Sequence, residues 1–276
     1  MQDAIETARV LREVYSGAFP RHRILHPLEA ARLRKRDVSP GVLLEGANVL
    51  GESRRIRKIR DLYRLNLIET LVALAENLLN DEILVPAMLA ATAKRYKEPE
   101  EKIINWLKPP RFFTSSSFPH MLRDNILRGN YEKRAPALYE EGFSLSGMPW
   151  VAKRTNGYLE NLQPSMHKFK LDASNCDATL PPELVSGSSF LIAEDLVGAT
   201  HQERKQYFNA LQRSSADQRV GVIRGTRTGV LHPKCRGGAT GIVGTFNQNN
   251  ASIRIAYTDA LAHSEGILLK PSGSFY

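Results

Sequence analysis

Cysteine is scarce in this chain: its 276 residues include two, Cys176 and Cys235, too few for a disulfide scaffold. The two are not at zinc-ligand spacing, so no metal is expected, and two isolated thiols fit a reducing, cytoplasmic compartment. Long apolar runs are missing as well. No stretch approaches the roughly 18 consecutive apolar residues that a membrane-spanning helix needs. Met1 to Ala18 mixes acids, arginines and apolar residues, without the continuous hydrophobic region of a secretory signal. Internal repeats and low-complexity tracts are absent, and no cofactor motif stands out. The expectation is a globular protein without membrane partner or cofactor.

What the chain has is positive charge. Lys and Arg number 38 against 29 Asp and Glu, a net charge of +9. Such a surface attracts polyanions by counterion release whatever the fold, and nucleic acid, DNA or RNA, is the commonest of them. The excess is uneven. Residues 1–64 carry fourteen Lys and Arg against eight Asp and Glu. The densest runs hold Arg32, Arg34, Lys35 and Arg36, then Arg54, Arg55, Arg57, Lys58 and Arg60. A single basic run is commonly a solvated helix face; two within one short region point to a phosphate-binding surface.

The pattern along the chain predicts an α+β protein, with a helical N-terminal part followed by a β-rich α/β C-terminal part. Residues 1–110 read as a helical basic module. Ser53 can cap a long helix to about residue 80, in which Ile56, Ile59, Leu62, Leu67, Leu71, Leu74 and Leu78 recur at three- and four-residue intervals. Further helices are expected over 81–96 and from Pro99 to the Pro109-Pro110 stop. Residues 111–165 read as a bridge with one short helix near 119–129. Residues 166–276 read as an α/β module: a strand over 188–196, a helix over 200–216 and a strand over 219–224. A hairpin pairing 230–234 with 240–246 follows, then strands at 253–257 and 266–269.

Within that hairpin His232 and Lys234 lie two residues apart, on one face of a strand, and Gly244-Thr245-Phe246-Asn247 ends the partner strand. A histidine nucleophile, a lysine and an amide near one phosphate are what metal-free phosphodiester cleavage requires. The order strand, helix, strand, His-x-Lys, glycine turn, Gly-Thr-x-Asn resembles the phospholipase D superfamily over residues 186–270, specifically its single-motif nucleases, which act as dimers. That resemblance implies a covalent phosphohistidine at His232, phosphate binding by Lys234 and Asn247, Thr245 in place of the usual serine, and a homodimer. Three features depart from the family pattern. Ala239 stands where an aspartate usually follows the lysine, nine residues separate Lys234 from Gly244, and no acid follows Asn247 closely.

Other motifs have plainer explanations. Thr114 to Ser117 is similar to a serine element of ADP-ribosyltransferases but lacks a suitable Glu-x-Glu, and fits a turn or cap. Glu203-Arg204-Lys205 has the Glu-x-Lys form of metal-dependent nucleases but falls on a predicted helix. In His167 to Lys170, Phe169 stands where a second His-x-Lys would need its lysine. Cys176 with His232 as a protease dyad, and Asp172 with Asp177 as a polymerase pair, find no further support. Two functions follow as expectations: a nucleic-acid phosphodiesterase, or a non-catalytic nucleic-acid-binding protein of packaging, replication-accessory or nucleocapsid-like type.

Overall fold

The structure, a computed structural model, describes residues 4–41, 44, 55–80, 87–93, 112–141, 179–219, 221–225, 230–233 and 243–266. Eight α-helices are described: α1 (Ala4–Val14), α2 (Pro27–Arg32), α3 (Ile59–Arg64), α4 (Ile68–Asn80), α5 (Phe118–Arg134), α6 (Pro182–Ala193), α7 (His201–Arg219) and α8 (Thr245–Ser264). A 3-10 helix, Ala135–Glu141, continues α5. Strands β1 (Met88–Ala93), β2 (Phe112–Ser116), β3 (Val222–Gly225) and β4 (Leu231–Pro233) form one sheet in the order β2-β1-β3-β4. β1 is antiparallel to β2 and parallel to β3, and β4 closes the edge antiparallel to β3. None of the described helices is long and apolar enough to cross a membrane.

The expected β-rich C-terminal part is corrected by this architecture. Its described residues are dominated by α6, α7 and α8, with only the short β3 and β4 between them. The strand expected over 188–196 lies in α6. There a short apolar run fits a buried helix as well as a buried strand, and the helix begins with Pro182 in its first turn and Glu183 beside it. The strand expected over 253–257 lies in α8. Its buried positions, Gln248, Ala251, Ser252, Ile255, Asp259 and Ala262, follow helical spacing, but half are polar, so the stripe does not register as hydrophobic. The helix expected over 200–216 is α7. Near 222 and 231 the expected strands form, each shorter than its pattern.

Towards the N-terminus the structure departs from expectation at a helix and at a strand. The helix expected from Ser53 to residue 80 is split into α3 and α4. Asn66 takes a left-handed φ of 54° between them. The Leu67 N–H donates to the Leu62 carbonyl at 2.9 Å and the Asn66 N–H to the Tyr63 carbonyl at 3.2 Å, the paired bonds of a Schellman stop. Within the helix expected over 81–96, Met88–Ala93 is instead an inner strand of the sheet. Alanine-rich sequence favours helix on its own, and here pairing with strands on both sides outweighs that preference. The expected helix after Pro99 and the strand at 266–269 lie outside the described residues, apart from Gly266, which is in a turn.

α5 sits at the centre. One core packs α2, α3 and α4 onto it through Ile59, Leu62, Leu71, Leu122 and Ile126. A second joins α5 to α6 and α7 through Leu127, Tyr131, Ile192, Tyr207 and Leu211. A third packs α1, α6 and α8 through Ala8, Leu11, Val185 and Ile255. Gly187 permits that third contact: a Cβ there would lie 2.7 Å from the Ala4 carbonyl oxygen.

Between these cores α5 buries its own charges. Arg123 pairs with Asp217 of α7, and its other amine lies 3.4 Å from Asp124. Asp124 in turn accepts from Ser214 at 2.5 Å and Gln218 at 2.6 Å. Arg128 donates to Gln248 of α8 at 2.7 Å and to Ser215 at 2.9 Å. Ion pairs and side-chain hydrogen bonds together compensate much of the cost of burying these charges, although Arg123 Nε and Arg128 Nε have no partner among the described residues.

Candidate nucleic-acid interface

The two basic runs of the sequence meet in space. The Ile59 N–H donates to the Val38 carbonyl and the Arg60 N–H to the Arg36 carbonyl, both at 2.9 Å. Local spacing decides which side chains face out. Ile56, Ile59 and Leu62 enter the core beneath, leaving Arg55, Arg57 and Arg60 exposed and Lys58 half-buried. From the other run, Arg32, Lys35 and Arg36 are exposed. With exposed Arg64, residues 32–37 and 55–64 present eight outward cations against two carboxylates, Asp37 and Asp61.

Both acids are used to shape the surface. Asp37 takes Arg60 at 2.8 Å, and its carbonyl accepts from Lys58 Nζ at 2.6 Å, which fastens one run to the other. Asp61 accepts the backbone N–H groups of Arg57 and Lys58, and these bonds hold its carboxyl below the ordinary range. The Arg36 guanidinium stands over the Tyr63 ring, 4.6 Å from its centre. Among the described residues Lys35, Arg55 and Arg57 have no carboxylate partner.

One expected contact residue is placed elsewhere. Arg34 turns inward, its guanidinium donating to Met121 Sδ at 3.2 Å, and burial lowers its pKa from the ordinary arginine value while Asp124 opposes the shift. Arg34 braces the surface from below and does not contribute to it. Arg54 lies outside the described residues.

The described residues of the His-x-Lys reading are divided between a strand and a helix. His232 is exposed on β4, opposite Ile223 of β3. Lys234 lies outside the described residues. Thr245 opens α8 and Asn247 lies within its first turn, so the second strand of the expected hairpin ends in helix. Asn247 is half-buried, and its amide donates to Glu132 Oε2 at 2.6 Å. Burial pushes the Glu132 carboxyl above its ordinary range, although the Asn247 amide and the Arg128 charge pull the other way. Asn247 therefore serves as a tether between α8 and α5. Gly244 before it has a φ of 87°, and a Cβ there would meet Glu132 Oε1 at 2.9 Å.

Glu203 also has a structural role. It accepts from the Thr200 N–H at 2.7 Å, and the Thr200 hydroxyl accepts from the Glu203 N–H at 3.3 Å, a capping box at the start of α7. Sequence reasoning missed Arg64 as a surface cation and Tyr63 as the platform under Arg36. Their placement just after the second basic run, on a helix whose apolar face is Ile59 and Leu62, was the available signal. Neither a protein-family model nor a curated protein matches the chain.

Proposed function

We propose that this protein binds nucleic acid through the joined basic surface of residues 32–37 and 55–64, and that binding, not catalysis, is its function, as in a packaging or replication-accessory protein. The observation that carries this is the convergence of the two basic runs. Backbone hydrogen bonds from Ile59 and Arg60 set them side by side, and Ile56, Ile59 and Leu62 of the second run point into the core. The surface is therefore held in place by the fold, so its cations need little ordering when a polyanion arrives. A phosphodiesterase built on His232 would need a strand carrying Thr245 and Asn247 beside it, whereas α8 carries both and Asn247 is engaged with Glu132.

Counterion release sets the expected behaviour. Each phosphate neutralised on a single strand contributes about 0.7 to the slope of log K against log salt, so engagement of most of the surface predicts a slope of about −4 to −6. Anisotropy of a labelled oligonucleotide titrated with NaCl measures it directly. Affinity that does not change with salt sinks the proposal. His232→Ala is expected to leave both affinity and salt slope unchanged, because the exposed β4 edge is no part of this surface. Metal-independent cleavage of the oligonucleotide that disappears in the same variant would restore the catalytic reading.

A further inference from the structure

From the basic surface the chain leads back along α5 to an open cleft. From Arg21 to Arg34 the chain runs antiparallel to that helix. Arg134 donates to the Arg21 carbonyl, the Arg23 N–H to Asn130 Oδ1 at 3.1 Å, and the Leu25 N–H to the Ile126 carbonyl at 3.0 Å. Arg34 reaches Met121 at the other end. Helix rise makes the distance from Met121 to Arg134 about 20 Å. At the Arg134 end, the turn after α1, the last turn of α5 and the following 3-10 helix enclose a cleft of about 730 Å³. Arg21, Lys133 and Arg134 line it, and no carboxylate does among the described residues. Pro20, Ala137 and Leu138 supply an apolar wall.

We infer that the nucleic acid bound by this protein is single-stranded, and that this cleft receives a nucleotide of it, the phosphate among the three cations and the base against the apolar wall. The inference rests on the nucleic-acid-binding proposal above and names its ligand class. A duplex keeps its bases stacked inside and is too stiff to fold into a cleft, so it gains only from cations on an open face. A single strand can bend inwards and bury an exposed base while its phosphates follow a basic track. The cleft volume falls within the few hundred to a thousand Å³ of sites that take small-molecule-sized groups. The one chain segment that carries Arg21 at the cleft also carries Arg32, Lys35 and Arg36 at the basic surface, so a strand that engages both would follow this segment past the Arg23–Glu29 pair.

The test compares a labelled single strand with the duplex of the same sequence, at one salt concentration, for the full-length protein and two cleft variants. R21A/K133A removes charge; A137W fills the cleft without changing charge. Wild type is expected to prefer the single strand by about tenfold or more, a difference of about 1.4 kcal/mol. Each variant should lose that preference while duplex affinity changes less than about twofold. Equal affinity for both forms in the wild type, or a single-strand preference that survives both variants, overturns the inference and leaves the binding proposal standing. Absence of binding to either form removes the binding proposal, and this inference with it. Thermal melting of both variants, which alter exposed positions, separates lost binding from lost fold.

Discussion

Arg123 is 2% exposed, and among the described residues Asp217, Asp124 and the Ser214 carbonyl compensate its burial. Truncating it would remove the buried cation that pairs with Asp217 and lies beside Asp124. Arg123→Ala is expected to cost about 3–5 kcal/mol in chemical denaturation. Replacing Arg123 and Asp217 together by leucine should cost much less than the single change, because no charge is then stranded at the Asp217 position. A double variant as unstable as Arg123→Ala would mean that the pair contributes specific hydrogen bonding beyond charge neutralisation. Glu132 is the opposite case: its Oε1 is buried without a hydrogen-bond partner among the described residues. Its folded-state pKa is raised, so the stability it contributes is full below the ordinary glutamate value of 4.5 and is lost as pH rises through the folded value. Glu132→Gln keeps an acceptor for Asn247 and removes the charge. It should raise the melting temperature at neutral pH and flatten this section of the profile; a lower melting temperature there contradicts the assignment.

At the scale of elements, Asn66 and Gly244 decide where helices stop and start. Asn66 needs a left-handed backbone, so Asn66→Gly should be neutral or slightly stabilising, whereas Asn66→Val should cost about 1–2 kcal/mol. Similar losses for both would show that the Asn66 side chain, not its backbone angle, matters. The same residue marks what sequence could and could not reveal. The apolar spacing of 56–78 correctly located helical structure, but periodicity carries straight through residues 65–67, and only the asparagine hints at the break. α6 and α8 were misread for a related reason. A helix buried on most sides has no polar face to disclose its period, and α8 builds its buried stripe partly from Gln248, Ser252 and Asp259. α5 was placed near its true position, yet Arg123, Asp124, Asn125 and Arg128 make it read as a surface helix. Its partners lie about ninety or more residues away in sequence, at Asp217, Ser214 and Gln248. Local pattern contains no information about them. The basic runs were legible because charge is a property of composition; that they share one surface depends on backbone bonds across the chain.

The whole molecule couples its N-terminal loop to its helical centre through His22. That imidazole is fully buried, with Nδ1 3.0 Å from the Pro20 carbonyl and Nε2 3.2 Å from the Tyr207 hydroxyl, which itself donates to the Leu127 carbonyl. Burial lowers its pKa below the ordinary 6.5, against the opposing pull of the Pro20 carbonyl and Asp195. An unfolded chain therefore takes up a proton that the folded protein resists. Stability is present above pH 6.5 and declines as pH falls below it towards the folded value. Melting temperatures across that range should show the decline, and His22→Gln, whose amide can still donate to the Pro20 carbonyl, should reduce it. An identical decline in the variant would assign the effect to other groups. Residues 20 and 21 also border the cleft at the end of α5, so this loop links overall stability to the shape of that cleft.

In the proposed function, one folded surface assembled from two separated runs holds nucleic acid by charge. The most direct measurement is the salt slope of oligonucleotide binding for the wild type beside K35A/R55A/R57A, three exposed cations without a carboxylate partner among the described residues. The triple variant is expected to melt like the wild type, bind more weakly, and lose about 2 from its slope, close to 0.7 for each cation removed. An unchanged slope and affinity in a correctly folded variant would contradict it.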